Sequence, residues 1–205
     1  MRRFVPLLCS VGAALAVLAS ATASAGAATV NTTCLPATTQ AFAAANDANA
    51  YFLLAGGAFE AGTPAWSFAG GAAPVAGNNT AGGDPIGNTM SLSLPSGSSA
   101  TSPAVCVDRD MPTIRFYARN TGSAGSKLGV TVLYTLPNGK PGSMEVAQIT
   151  GTGVWQPSSA IAFHKEMLAM ASATGTTNVA FQFRPLDATG HWRIDDVYVD
   201  PFKRS

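Results

Sequence analysis

The chain has 205 residues, of which only 11% are charged, and a formal net charge of +1. Its length and its 47% hydrophobic content fit one globular domain behind a leader. The near-zero net charge provides no basic stripe of the kind that nucleic acid or anionic lipid requires, so both partner classes are disfavoured.

Residues 1–25 are predicted to be a secretory signal peptide. Two arginines open it, an apolar stretch follows from Val5 to Leu18, and Ala23-Ser24-Ala25 supplies a cleavage site. Cleavage before Gly26 is the first choice, and cleavage after Ala23 or Ala27 is the alternative. The apolar stretch is too short for a membrane span. We therefore expect a secreted mature protein, whose net charge becomes −1 once the two arginines are removed.

Two cysteines, Cys34 and Cys106, remain after cleavage. In an oxidising compartment they are predicted to form a disulfide. The alternative, a reactive thiol or a metal site, lacks a nearby His or a CxxC spacing. The disulfide would close a loop of about 72 residues, worth roughly 4 kcal/mol. It would tie an N-terminal extension, residues 26–53, to the domain formed by residues 54–203, and we expect residues 34–50 to run over the surface.

Apolar and polar residues alternate in three segments, which predicts strands with one buried and one open face. These segments are Thr113–Arg119, Leu128–Tyr134 and Val179–Arg184. Asn138-Gly139 predicts a hairpin between a strand that ends near Leu136 and one over residues 144–149. Residues 69–88 lack a period and are predicted to form a loop with at most one short strand.

One short helix is predicted, over His164–Ala173, where Met167, Leu168 and Ala171 share a face. Short strands at regular spacing dominate the rest of the chain. This pattern predicts an all-β fold, an antiparallel β-sandwich with at most one short helix.

Two acidic motifs lie at the ends of the predicted domain, Gly56-Gly57-Ala58-Phe59-Glu60 and Ile194-Asp195-Asp196-Val197. Together with Trp66-Ser67-Phe68, they resemble the terminal strands of carbohydrate-binding jelly rolls, galactose-binding-like sandwiches attached to many secreted glycosidases. The layout also resembles that of secreted actinobacterial proteins of unknown function. The resemblance implies a jelly-roll β-sandwich, and in many such modules the Glu and the first Asp help to bind a structural calcium ion.

For calcium, the resemblance implies Glu60 and Asp195 as ligands, with Asp196 beside them. Calcium prefers six to eight oxygen ligands, including carboxylates. Neighbouring strand residues face opposite sides, so Asp195 points inward if Val197 does. One alternative is that Asp195 pairs with Arg193 or Arg184. The other is that Trp192, Ile194 and Tyr198 point inward and Asp196 is the exception. Structural calcium is thus a prediction with open alternatives.

A recognition surface is predicted on the open face of the Thr113–Arg119 strand. The residues proposed for it are Arg115, Tyr117 and Arg119, joined by Gln182 and Arg184 if their strand lies nearby. Such a face suits a polar or anionic glycan, although an ordinary solvated sheet face has the same composition. Trp66 and Trp155 are further candidates because an indole stacks on a sugar ring, with core packing as the alternative. Trp192, Tyr134 and Tyr51 are lesser aromatic candidates.

Catalytic motifs are absent from the sequence: it contains no G-x-S-x-G, H-E-x-x-H or P-loop pattern. We therefore expect a secreted non-catalytic protein that binds an extracellular polysaccharide or a cell-wall polymer, with no cofactor other than the calcium. The alternatives are a structural or interaction protein of the cell envelope without sugar binding, and a hydrolase with a facing carboxylate pair.

Overall fold

The structure, a computed structural model, describes residues 37–60, 66–83, 87–108, 113–162 and 176–200. The described residues form strands and one short 3-10 helix, Ala43–Ala45. The strands are β1 Phe52–Leu53, β2 Ser67–Ala69, β3 Ala73–Ala76, β4 Met90–Pro95, β5 Ser99–Thr101, β6 Val105–Asp108, β7 Thr113–Asn120, β8 Leu128–Thr135, β9 Pro141–Ile149, β10 Gln156–Pro157, β11 Ile161–Ala162, β12 Thr176–Pro185 and β13 His191–Asp200.

The strands form two antiparallel sheets. Sheet 1 has the order β10-β7-β13-β4-β3, with β1 paired to β13 and β11 paired to β7. Sheet 2 has the order β2-β5-β12-β8-β9, with β6 paired to β12. The fold is an all-β jelly-roll sandwich, which confirms the predicted fold class. No helix of the described residues is long and apolar enough to cross a membrane.

The three alternating segments are confirmed as β7, β8 and part of β12. The hairpin between β8 and β9 is also confirmed: Leu136 N–H donates to the Lys140 carbonyl at 2.9 Å. Gly139 has φ +79°, a left-handed conformation that glycine adopts without steric cost. One short strand, β3, lies in the predicted loop region. The predicted helix over His164–Ala173, the signal peptide and Cys34 lie outside the described residues.

The core lies between the sheets and is built from the inward positions of both. Phe116 of β7 and Phe183 of β12 meet edge to face at 5.1 Å between ring centroids. Both rings are fully buried, and such an aromatic pair contributes about 0.5–1.5 kcal/mol beyond its buried area. Burial of apolar side chains from the two inner faces therefore fixes which face of each strand points outward.

Residues 37–51, which we call the strap, lie over the outer face of sheet 1. The strap is joined to itself by hydrogen bonds between Thr39 and Tyr51 at 2.7 and 2.8 Å. Its Phe42 is fully buried and stacks on Tyr117 of β7 at 5.2 Å. The strap belongs to the extension predicted to run over the surface, and it does so by inserting two aromatic rings, those of Phe42 and Tyr51, into a second small core.

A β-bulge interrupts the pairing of β13 with β7 between Asp195 and Tyr198. Asp196 has φ +48°, which is unusual for a residue other than glycine. Because the bulge adds one residue, Ile194 and Val197 both point into the core, on either side of it. Tyr198 then points outward and packs with Phe42 and Tyr51 in the second small core. The two alternatives for the inward face of this strand are both realised, one on each side of the bulge.

Candidate functional site

The predicted open face of β7 is covered, so this prediction is wrong. Arg115 is 7% exposed and Tyr117 is 1% exposed. The physical reason is the strap, whose Phe42 buries the Tyr117 ring and lies 4.3 Å beneath the Arg115 guanidinium. Of the three residues predicted on this strand, only Arg119 lies beyond the strap and is partly exposed.

Arg115 holds the strap in place. Its Nη1 donates to Asp47 Oδ2 at 2.7 Å, and its Nε and Nη2 donate to the Ser158 carbonyl at 3.0 and 2.6 Å. Burial alone would raise the pKa of Asp47, but hydrogen bonds from Tyr51, Asn49 and Arg115 outweigh it and lower this pKa to about 2. Arg115 is therefore a structural residue, and its charge is satisfied within the protein.

Gln182 and Arg184 lie on β12 in sheet 2, so they do not join the β7 residues. Their side chains alternate with the buried Phe181 and Phe183 and point away from the sandwich. Gln182 Nε2 donates to Thr101 Oγ1 of β5 at 3.2 Å. The two predicted halves of the recognition surface thus lie on opposite outer faces of the molecule, and the combined surface is wrong.

The two candidate tryptophans have different surroundings. Trp66 is buried, donates from Nε1 to the Ala55 carbonyl at 2.9 Å, and packs edge to face against Phe59. It is a core residue, as the alternative anticipated. Trp155 is partly exposed beside β7, and the Arg119 guanidinium lies over its ring at 5.1 Å from the centroid.

Asp195 and Asp196 are both fully buried, which requires hydrogen-bond partners for their oxygens. Asn79 supplies several: its N–H donates to Asp195 Oδ2 at 2.9 Å, and its Nδ2 donates to Asp196 Oδ2. Asp195 Oδ1 accepts the Asp196 N–H at 2.9 Å, and Asn88 Nδ2 lies 3.5 Å from Asp196 Oδ1. The bulge lets both neighbouring carboxylates reach the same asparagine.

Glu60 is satisfied separately. Its Oε1 accepts the backbone N–H groups of Thr89 and Met90 at 2.6 and 2.7 Å. Although burial acts to raise its pKa, these hydrogen bonds lower it. Glu60, Asp195 and Asp196 accept these hydrogen bonds from N–H and O–H donors, so the protein itself uses part of the oxygen capacity that a calcium ion would need. In the described ranges no group of three or more acidic, His or Cys side chains could hold a metal. Calcium stays a prediction.

An opening, which we call the end groove, lies where β8, β9 and β12 end in sheet 2. It has a volume of about 990 Å³. Leu133, Ser143 and Ala180 form a row across the three strands, since Leu133 pairs with both of the others. Tyr134 follows Leu133 in β8 and points to the other face of the sheet, where it packs against the edge of the core and against Gly142. A Cβ atom at residue 142 would approach the Tyr134 Cζ to 2.7 Å. A side chain at residue 142 would therefore displace the ring.

Asn178 supplies an unused polar group in the end groove. It lies on β12, and its Oδ1 is buried and has no hydrogen-bond partner among the described residues. An unsatisfied buried acceptor costs about 1–3 kcal/mol, so a hydroxyl donor that enters the groove would recover this energy. Asn178 was not among the site residues predicted from the sequence. The only signal was its position just after the turn-like Gly175-Thr176-Thr177 run.

A smaller cavity, which we call the edge cleft, opens beside β10. Its volume is about 220 Å³, and its lining includes Trp192, Ala118, Gln148, Gln156 and Ser159. Trp192 is fully buried, and its Nε1 has no hydrogen-bond partner within the described part of the chain. The edge cleft can hold one small polar group, whereas the end groove can hold an extended ligand.

No protein-family model matches the chain, and no curated protein matches it. Among solved structures, it is similar to the CBM22-1 xylan-binding domain of Xyn10C from Paenibacillus barcinonensis, with 17% identity and a TM-score of 0.50, over 75% of this chain and 95% of that one. It is also similar to the C-terminal family 22 carbohydrate-binding module of Xyn10B from Clostridium thermocellum, with 16% identity and a TM-score of 0.50, over 76% of this chain and 96% of that one. The chain shares its jelly-roll β-sandwich fold with these modules.

Proposed function

We propose that this protein is a secreted, non-catalytic β-sandwich that binds an extracellular glycan or cell-envelope polymer in the end groove. The observation that carries the proposal is the buried Oδ1 of Asn178, which has no partner among the described residues and belongs to the same lining as Tyr134. The two similar modules are described as a xylan-binding domain and a carbohydrate-binding module, and this supports a glycan as the class of ligand.

The chemistry of the end groove matches a chain of sugar rings. Sugar hydroxyls donate hydrogen bonds, and the amide oxygen of Asn178 is an acceptor. The ring of Tyr134 offers an apolar face with a polar tip, which suits a ligand that is apolar on one side and wet on the other. The row of Leu133, Ser143 and Ala180 carries small or apolar side chains, so a flat ligand can approach the sheet.

The composition of the end groove supports a binding role rather than catalysis. The lining of the end groove includes no Asp, Glu or His among the described residues. Hydrolysis of a glycosidic bond by the common mechanism needs two carboxyl groups that face the scissile bond. The groove therefore offers recognition without an acid–base pair.

Secretion is part of the proposal and is supported by the sequence of residues 1–25, which has the charged start, apolar stretch and small-residue cleavage site of a signal peptide. A glycan ligand outside the cell requires export of the protein. N-terminal sequencing of the protein from culture medium would test it, with a start at or near Gly26 as the expected result.

The test of glycan binding uses affinity electrophoresis of the mature protein through gels that contain xylan, galactan, soluble cellulose derivatives or solubilised peptidoglycan. We expect retardation by at least one polymer. Replacement of Tyr134→Ala or Asn178→Ala should weaken binding roughly tenfold, since one lost stacking or hydrogen-bond contact is worth about 1–1.5 kcal/mol. Circular dichroism would check that the variants fold.

Val154→Ala is the matched control, because Val154 is 63% exposed and lies on a loop beside sheet 1. It should bind as the unmodified protein does. Unchanged binding by both groove variants would mean that the ligand binds elsewhere. It would overturn the proposal that the end groove is the binding site. Failure of every polymer to retard the unmodified protein would contradict glycan binding and favour a structural role in the cell envelope.

A further inference from the structure

Two arginines stand directly opposite each other on the outer face of sheet 1, beyond the end of the strap. Arg119 of β7 and Arg193 of β13 are Cα partners across the antiparallel pair. Like charges in this position repel each other. Burial lowers the pKa of Arg193, and the neighbouring Arg119 guanidinium lowers it further. Their placement is thus electrostatically unfavourable in the protein alone.

Arg193 is held by the backbone of the segment that follows β3. Its Nη2 donates to the carbonyls of Ala76 and Gly77 at 2.6 and 2.8 Å and to Ser91 Oγ at 2.6 Å. These acceptors are neutral, so they orient the guanidinium without cancelling its positive charge. Arg193 thereby becomes a fixed positive charge at the surface of the sheet.

Arg119 has no such partners. Its side chain makes no hydrogen bond or salt bridge to any residue that the structure describes, and its Nε is buried without an acceptor there. The indole of Trp155 lies against its guanidinium at 5.1 Å. Stacking on an aromatic ring fixes the plane of a guanidinium and leaves its edge free to donate. Arg119 is therefore oriented but unsatisfied.

One carboxylate balances part of the charge of the two arginines. Asp195 attracts the Arg193 guanidinium and raises its pKa, and its two oxygens also accept the Asn79 and Asp196 N–H groups. His191 lies two residues before Arg193 and is exposed, with its Nε2 3.0 Å from Ser93 Oγ. Tyr117, on the Asp195 side of Arg119, is covered by the strap. The face keeps a net positive charge.

We propose that Arg119, Arg193 and Trp155 form an oxyanion subsite, the basic patch, for acidic groups on a glycan. The proposal goes beyond the proposed function, because the basic patch lies on sheet 1 and the end groove on sheet 2. It names the chemical class of a second ligand: a sugar polymer that carries carboxylate, sulfate or phosphate groups. A guanidinium edge matches such oxyanions with two parallel hydrogen bonds. A bound anion would also remove the repulsion between the two arginines.

The test compares four polymers at low ionic strength: polygalacturonate, dextran sulfate, a polyribitol phosphate and neutral xylan. We expect at least one acidic polymer to bind tighter than xylan and its affinity to fall several-fold as salt is raised, because salt screens exposed charges. Arg119→Gln should weaken binding of the acidic polymer at least tenfold. Arg119→Lys keeps the charge but not the planar fork and should fall between.

Arg184→Gln is the matched control, because it removes one exposed arginine from the opposite sheet. It changes the net charge as Arg119→Gln does, so it measures the effect of charge alone. Equal losses of affinity for the acidic polymer in the two variants would overturn the proposal that the basic patch binds it. Glycan binding by the unmodified protein without preference for an acidic polymer would also overturn it and leave the proposed function intact.

A second measurement separates the two proposals when no polymer is retained. Galacturonate and galactose are titrated against isotope-labelled protein, and the Arg119 Nε–H and Trp155 Nε1–H signals are followed by NMR. Shifts with galacturonate alone support the basic patch even if the end groove binds nothing. Absence of shifts at both signals, at concentrations that saturate ordinary weak sugar sites, would overturn it.

Discussion

Single residues decide the chemistry of the strand that closes sheet 1. Asp196 adopts a left-handed backbone conformation and adds the residue that makes the bulge. Without it, Asp195 and Asp196 would face opposite sides of β13. With it, both carboxylates accept hydrogen bonds from Asn79. The acidic pair is therefore a buried hydrogen-bond network that fixes the loop around Asn79 on the sheet.

Replacement of Asp195→Asn should lower the free energy of unfolding by about 2–3 kcal/mol, because an amide replaces a charged acceptor of two buried backbone N–H groups. Urea unfolding of the purified protein measures this change. Asp187→Asn is the control, since Asp187 is exposed and accepts one N–H, from Lys127 at 2.7 Å. We expect about 0.5 kcal/mol or less there. Equal effects at both sites would contradict the network.

At the scale of elements, the strap is the feature that separates the two faces of the molecule. Its rings Phe42 and Tyr51 pack against Tyr117 and Tyr198 of sheet 1. The only salt bridge among the described residues, Asp47 to Arg115, fastens its turn. Among the described residues, no segment covers the outer face of sheet 2 in the same way.

The strap should loosen in acid. The folded-state pKa of Asp47, about 2, lies below its ordinary value of 3.8. The carboxylate therefore contributes its full stability above about pH 4, and this contribution, of order 2 kcal/mol, is lost as the pH falls toward 2. Urea unfolding between pH 6 and pH 2 would measure it. The Asp47→Asn variant should be less stable than the unmodified protein at neutral pH, and its free energy of unfolding should fall less on acidification. An equal fall in both proteins would contradict the role of Asp47.

At the scale of the whole molecule, the predicted disulfide would link the chain before the strap to sheet 2. Cys106 lies on β6, in sheet 2, whereas the strap covers sheet 1. If Cys34 pairs with Cys106, the N-terminal segment passes around the sandwich. Reduction should then lower the free energy of unfolding by roughly 4 kcal/mol.

Thermal unfolding with and without a reducing agent tests the disulfide, and mass spectrometry of thiol-labelled protein provides an independent reading. Two free thiols in the native mature protein would contradict it. Replacement of both cysteines by serine should reproduce the effect of reduction, because the loop constraint on the unfolded chain is lost in either case.

Much of the fold was predictable from local sequence, because a period of two is a property of the strand itself. Ile114 and Phe116 are inward, as the alternation predicts. The bulge is also visible in the sequence, where it made the inward face of β13 ambiguous. Ile194 and Val197 are both apolar but are three residues apart, which a regular strand cannot place on one face. One extra residue between them resolves the conflict.

The candidate sites were less predictable, since each depends on residues far apart in sequence. The alternation of β7 predicts that Tyr117 points outward, which is correct, but it does not predict that Phe42 covers it. Asn178 belongs to the end groove only through the register of β12 with β8 and β9. Arg119 was predicted as a binding residue, and its neighbour Arg193 was not, because their pairing follows from strand order.

The strap has one more consequence, for where the protein can be cut. Residues 37–53, which the predicted boundary at residue 54 assigns to an extension, pair with β13 through Phe52 and Leu53 and shield Tyr117 and Tyr198. A shortened chain that begins at Leu54 would keep both sheets but present two tyrosine rings and a stretch of unpaired backbone to solvent. Exposed apolar rings and unpaired strand backbone promote self-association. We therefore expect the shortened chain to self-associate, which gel filtration of the two forms would show.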